Sequence, residues 1–232
     1  MNKIKDSVKR EIVINATLME VWDALTKPEH LNRWYTKHAE IDFSVGGRGY
    51  MNHGWGATTE GVFTEIDAMK RFVIQSMDGD FTTITSLVEV ENGIKVSIEY
   101  QASFLSEISQ AIKENMLFGT GQFLENLKSV YETGDDIRAK LWKVWIGITH
   151  TTSESTIGTR VLKVNKDSVA AAAGIEPEDI IKEIDREEIV GYESFERALN
   201  KKAVNQTVTL TIERKSEKLE LSCLVDAYPV PY

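Results

Sequence analysis

The 232-residue sequence holds one cysteine, Cys223, with only four prolines and four histidines. A single cysteine excludes an intrachain disulfide framework. Four scattered histidines beside it give no metal-ligand spacing. No apolar run reaches the length that spans a bilayer, and the opening "MNKIKDSVKRE" has no signal-peptide core. The expectation from these two absences is a cytoplasmic protein without a membrane span. Basic excess is missing as well. Net charge is −9, with 13 basic against 20 acidic residues over 1–135 and 14 against 16 over the rest. Nucleic-acid affinity comes largely from Lys and Arg neutralising phosphates, so the charge balance argues against a nucleic-acid partner and disfavours an anionic membrane surface. No G-x-S-x-G, H-E-x-x-H, C-x-x-C or Walker pattern occurs. "GGRG" (46–49) lacks the lysine and helix of a phosphate loop and reads as a turn. No catalytic residue, metal or cofactor is therefore expected.

What is present is patterned. Apolar residues make up 42% of the chain, enough for an ordinary globular core. "KREIVINA" alternates as a strand. Thr17 and Glu20 then form a T-x-x-E capping box ahead of Leu18, Val21, Trp22 and Leu25 at helical spacing. Pro28 suits the first position of a second short helix. From His38 to about Phe104 the text is strand and turn: Ile41, Phe43 and Val45 alternate up to Gly46-Gly47, and four further β-rich runs follow, two of the junctions marked by the turns "MDGD" and "ENG". One antiparallel meander fits this spacing. Residues 106–133 switch to helical period, roughly 40 Å at 1.5 Å per residue, and so long an apolar stripe must lie across a sheet.

The second half begins near Ile137. "TRVLKV" reads as a strand, "DSVAAAAGI" as a short helix capped by Asp167 or Ser168 and closed by Gly174, "DIIKEI" as a strand and "YESFERALN" as a helix. "TVTLTIER" and "KLELSCLV" form a hairpin about Lys215-Ser216-Glu217, with Cys223 on its core face. "THTTSEST" (149–156) is polar, as a ligand-edge loop can be. The apolar end "PVPY" could occupy a groove on a neighbouring molecule.

The stretches "VWDALTKPEHLNRWY", "FSVGGRGYM", "GVFTEID" and "GTGQFLENLKSVYETG" resemble the START-like superfamily, and within it the activator-of-heat-shock-ATPase homologue family. This implies an α+β helix-grip fold over 1–135, an antiparallel sheet wrapping a long C-terminal helix with a cavity between them. Trp34, Met51, His53, Trp55, Met116 and Phe123 are its candidate cavity-lining residues, with core packing the alternative for each. Thr120 stands where the family leads one to expect an aromatic. The text "VWIGI…TRVLKVNKDSVAAAAGIEPEDIIKEIDREEIVGYESFERAL…TVTLTIER" resembles a PDZ domain of the bacterial, circularly permuted kind. It implies a small β-barrel or sandwich with two helices over 138–228. Glu178 and Arg186 depart from it, standing where the pattern usually has glycine.

The glycine of "WIGI" is the residue on which function turns. A peptide carboxylate needs several converging backbone N–H groups, and a glycine lets the chain turn without a Cβ clash. Trp145, Ile146, Gly147 and Ile148 would receive a peptide C-terminus. The peptide would add as a strand beside Ile148, Thr149 and His150, against the helix carrying Phe195 and Leu199. The expected function is a non-enzymatic two-module binder, taking a peptide or protein C-terminus in one domain and a small hydrophobic ligand or a chaperone partner in the other. The alternatives are a START-like cyclase- or hydrolase-type enzyme using His53, Glu60 or Glu65, and a co-chaperone-like ATPase activator.

Overall fold

The computed structural model describes residues 6–102 and 107–230. Pro231 and Tyr232 of "PVPY" lie outside the described residues. Two compact units form: residues up to 104 with 117–139, and residues 105–116 with 140–231.

In the first unit, β1 (Asp6–Ile14) leads into α1 (Leu18–Thr26) and α2 (Pro28–Trp34). The capping box forms, with Glu20 N donating to Thr17 Oγ1 at 3.3 Å and Thr17 N to Glu20 Oε2 at 2.9 Å. Pro28 opens α2, where its missing N–H costs nothing. The meander follows as β2 (His38–Ile41), β3 (Arg48–Gly54), β4 (Ala57–Asp67), β5 (Arg71–Ser76), β6 (Thr82–Val90) and β7 (Gly93–Ala102). Every pairing is antiparallel, and β1 joins the far side of β7, giving the order β1-β7-β6-β5-β4-β3-β2.

The alternation of Ile41, Phe43 and Val45 does not extend β2. The chain leaves the sheet at Asp42, whose amide donates to Arg48 O, and Gly47 N closes the loop on Ser44 O. A Cβ at Gly47 would strike Asp42, so the glycine permits a tight loop and Val45 is left exposed. Phe43 still turns inward, meeting Trp22, Phe63 and Phe72 edge-to-face at centroid distances of 5.0–5.7 Å.

The helix α3 (Glu107–Glu132) lays Leu124 and Leu127 into the first unit's core, each under 2% exposed. Thr120 Oγ1 and Tyr100 OH are 2.6 Å apart, so the residue standing in place of an aromatic ties the helix to β7. Within α3, the buried Asn126 donates to Trp34 O and accepts from Ile137 N at 2.7 Å. Arg138 reaches back to α2: Nη1 donates to Thr36 O at 2.8 Å, and Nη2 to Asn32 O and Arg33 O at 3.0 and 3.1 Å. Asn32 and Arg33 lie in the last turn of α2, whose carbonyls the helix cannot satisfy internally, and Thr36 follows it.

The second unit contains β8 (Val144–Trp145), β9 (Ile148–Thr152), β10 (Thr159–Val164), α4 (Val169–Ala172), β11 (Ile180–Ile184), β12 (Glu187–Glu188), α5 (Tyr192–Asn200), β13 (Thr207–Arg214), β14 (Glu217–Leu224) and β15 (Asp226–Ala227). Its main sheet runs β14-β13-β11-β10-β9 and stays open, so no barrel closes; β15 pairs with β8 separately. Ser168, not Asp167, caps α4 through its hydroxyl. Lys215 and Ser216 both have positive φ, the primed turn that suits a two-residue hairpin. Glu178 and Arg186 also adopt left-handed backbone, φ +75° and +69°: the turns keep the geometry of glycine without the residue. Cys223 is fully buried in the core. Asp179 is fully buried too, and Arg214 holds both its oxygens at 2.7 Å.

Candidate functional site

The sheet order puts β9 at an edge, paired only with β10 in that sheet. Immediately before it Gly147 has φ +87°, a conformation that disfavours any residue with a Cβ. A Cβ there would also strike the Ser168 side chain, so this glycine serves close packing as well as the turn. Asn165 N donates to Gly147 O and Ala170 N to Ile146 O at 2.8 and 3.0 Å. These bonds anchor the carbonyl side of the turn to the start of α4. Among the described residues, no backbone carbonyl accepts from Ile146 N or Gly147 N.

The strand continues through Thr152, into the polar run that the sequence gives as a loop; the loop proper is 153–158. Strand amides alternate between the two edges. Thr152 N bonds a side chain rather than β10, which puts the amides of Ile148 and His150 on that same outer edge.

The opposite wall is α5. Ile146, Phe195 and Leu199 are 1%, 1% and 4% exposed, so they form the floor and leave Ile148 partly open. The His150 ring is buried as well. Its Nδ1 lies 2.7 Å from Thr159 Oγ1 and its Nε2 3.0 Å from Glu196 Oε1, while the ring stacks on Tyr192 at 4.3 Å. That side chain joins β9 to α5, leaving only the backbone of His150 for a ligand. Burial, with the nearby Glu196 charge second, pushes the Tyr192 hydroxyl well above its usual pKa. Trp145 lies in β8, its ring 6.2 Å from that of Tyr228, and Thr149 is half-buried.

In the first unit the cavity candidates separate. Trp34 is 1% exposed and donates from Nε1 to Ala24 O, a core role, and Met51 is buried as well. His53, Trp55 and Phe123 do come together, around Tyr35: ring centroids are 4.4 Å for Tyr35–His53, 4.9 Å for Tyr35–Phe123 and 5.9 Å for Trp55–Phe123. Met116 belongs to the part of α3 that groups with the second unit. His53 is buried, with Nε2 2.8 Å from Thr59 Oγ1 and Nδ1 without a partner in hydrogen-bond geometry. Burial lowers its pKa to about 4, against a small opposing pull from the Tyr35 backbone, so the ring is neutral near pH 7. Glu60 and Glu65 do not join it. Both are exposed, and they pair with Arg48 and Arg71 at 3.9 and 3.2 Å.

Sequence reasoning did not find Tyr35, Tyr192 or Glu196 as site residues. Each stands in a helical apolar or charged pattern like its neighbours, and only tertiary pairing marks it out. Among the described residues no group of three or more His, Cys, Asp or Glu is placed to hold a metal ion, and no helix is long and apolar enough to cross a membrane.

A model of the Activator of Hsp90 ATPase homolog 1-like protein family matches residues 15–132, half of the chain. The chain belongs to that family. A PDZ domain model matches residues 144–225, so this member carries an activator-like domain followed by a PDZ domain. Solved structures similar to the activator-like part include a Staphylococcus saprophyticus protein, 14% identical, covering 57% of this chain and 96% of its own, with a TM-score of 0.50. The Aha1 dimer from Colwellia psychrerythraea is 20% identical over 56% of this chain and 98% of its own, TM-score 0.48. At such identities the likeness concerns the fold alone. The search of curated proteins found no match to the chain.

Proposed function

We propose that this protein is a non-enzymatic, two-module binder, with module limits near 1–135 and 138–228 except that residues 105–116 group with the second. The PDZ domain takes the C-terminus of an extended peptide, which adds to β9 as a strand. One observation carries the reading: the edge strand begins at a positive-φ glycine whose own amide and that of Ile146 have no backbone acceptor among the described residues. Several N–H groups meeting at one turn suit a carboxylate, and the outer edge at Ile148 and His150 supplies main-chain pairing for the residues before it.

The first domain would hold a small hydrophobic ligand or a protein partner, of which a chaperone is the one the family name suggests. The ring cluster of Tyr35, His53, Trp55 and Phe123 supports the ligand, since Tyr35, Trp55 and Phe123 keep accessible surface. Glu60 and Glu65, exposed and paired with arginines, offer the hydrolase-type alternative no buried carboxylate, so that reading would rest on His53 alone.

Substituting Gly147 is a poor test, because any Cβ would break the loop. Changing the ligand is cleaner. Octapeptides with free C-termini, drawn from a random library, are titrated by fluorescence polarisation, and each binder is repeated as its C-terminal amide. Binding that falls at least tenfold on amidation is the expected result. Failure of every free-carboxylate peptide to bind, or equal binding of the amides, would refute the groove.

A further inference from the structure

The outer edge of β9 is already partly occupied. Glu114 belongs to the stretch of α3 that groups with the second unit. Its Oε2 accepts from Thr152 N at 3.0 Å and from Thr151 Oγ1 at 2.6 Å. Asn115, the next residue, hydrogen-bonds the side chain of Tyr192 at the start of α5. One short piece of helix therefore touches both walls of the groove at the same end. The walls also meet there: Tyr192 N donates to Thr152 Oγ1 at 3.0 Å, and a Cβ on Gly191 would collide with the Thr152 side chain.

Register decides what this contact does. A ligand whose carboxylate sits at Ile146–Ile148 runs antiparallel to β9. Its residues two and four places before the end then face His150 and Thr152, because outward groups recur at every second residue. The Glu114 carboxylate stands where the carbonyl oxygen of the ligand residue four places from the end would bond Thr152 N.

We propose that Glu114 is an internal stop, which confines strand addition to the last three residues of a ligand; the proposal rests on the peptide-groove reading above. A carboxylate makes a stronger bond to an amide than a peptide carbonyl does, and it is tethered beside the donor at high effective concentration. Upstream ligand residues cannot displace it, so they add no pairing. The ligand class that follows is any accessible C-terminus whose final three residues fit, with little demand on what precedes them.

The test uses the full chain, wild type and Glu114→Ala, with the best octapeptide from the library and its last four residues alone. Wild type should bind the two within about twofold of each other. Glu114→Ala should bind the tetrapeptide as wild type does and the octapeptide about tenfold more tightly, the return on one or two added main-chain bonds. Hydrogen exchange at the Thr152 amide, measured without peptide, should speed up in the variant. If tetrapeptide and octapeptide both fail with wild type, the groove itself is wrong and the stop goes with it. A wild type that already prefers the octapeptide tenfold leaves the groove standing and overturns the stop. No length dependence in Glu114→Ala, or unchanged Thr152 exchange, overturns it equally.

Discussion

Replacing Arg138 with alanine should cost more stability than its place near the end of the first unit suggests. Arg138 is 5% exposed, and its guanidinium donates to the carbonyls of Asn32, Arg33 and Thr36 while pairing with Asp136 at 2.7 Å. A hydrogen bond to a charged group contributes about 1.5–3 kcal/mol net. Three carbonyls lose such a donor at once, and water entering the vacated space recovers part of the loss. The balance is about 4 kcal/mol. With a urea slope of about 2 kcal/mol/M, the midpoint should fall by about 2 M. Arg138→Lys should recover only part, since an ammonium keeps the charge but not the planar fork that serves several acceptors. Urea unfolding followed by tryptophan fluorescence measures both variants, Trp22 and Trp34 being buried reporters in the same unit. A loss under about 1 kcal/mol for the alanine variant would show that those carbonyls do not depend on the clamp.

Two further outcomes follow from the first unit and the turns of the second. The His53 pKa is about 4 in the folded chain against 6.5 ordinarily; the unfolded chain takes up the proton first, so stability is complete above about pH 6.5 and falls towards pH 4. The full loss is about 3 kcal/mol at 1.36 kcal/mol per pKa unit, and His53→Gln should flatten that part of the pH dependence of urea midpoints; an unchanged slope would locate it elsewhere. Arg186→Gly should raise stability by about 1 kcal/mol in thermal unfolding, since Arg186 is exposed with φ +69° and left-handed backbone costs a side-chain residue about that much; a fall in Tm would mean that the arginine makes up for its backbone in another way.

Local signals carried most of the fold. Thr17, Pro28, Gly174 and the Lys215-Ser216 turn were legible because caps and tight turns are settled within a few residues. The departures at Glu178 and Arg186 were legible as turns for the same reason, and the chain bends there as glycine would. Alternation misled at Val45, where a glycine pair outweighed β-pattern. Arg138, Tyr35 and Glu114 were illegible in their roles. Each acts on residues far away in sequence, Arg138 on carbonyls more than 100 positions earlier, and nothing in its own neighbourhood announces the partner. The edge strand β9 fell between these cases: "WIGI" marks the turn before it, but burial of His150, Phe195 and Leu199 depends on how α5 packs.

The pairing of β1 with β7 matches Ile14 to Ile94 and Asp6 to Ala102. During synthesis the opening strand must therefore wait for a mate nearly 90 residues downstream, about 5 to 20 s at ordinary elongation rates. For that interval a ribbon carrying Ile12 and Ile14 has no sheet to join, and the first domain cannot be finished piecemeal from its beginning. The hairpin of β13 and β14, joined by two residues, needs no such delay. Late closure of long-range ladders slows maturation of the nascent molecule, and it makes the opening strand the segment most open to misassociation before release.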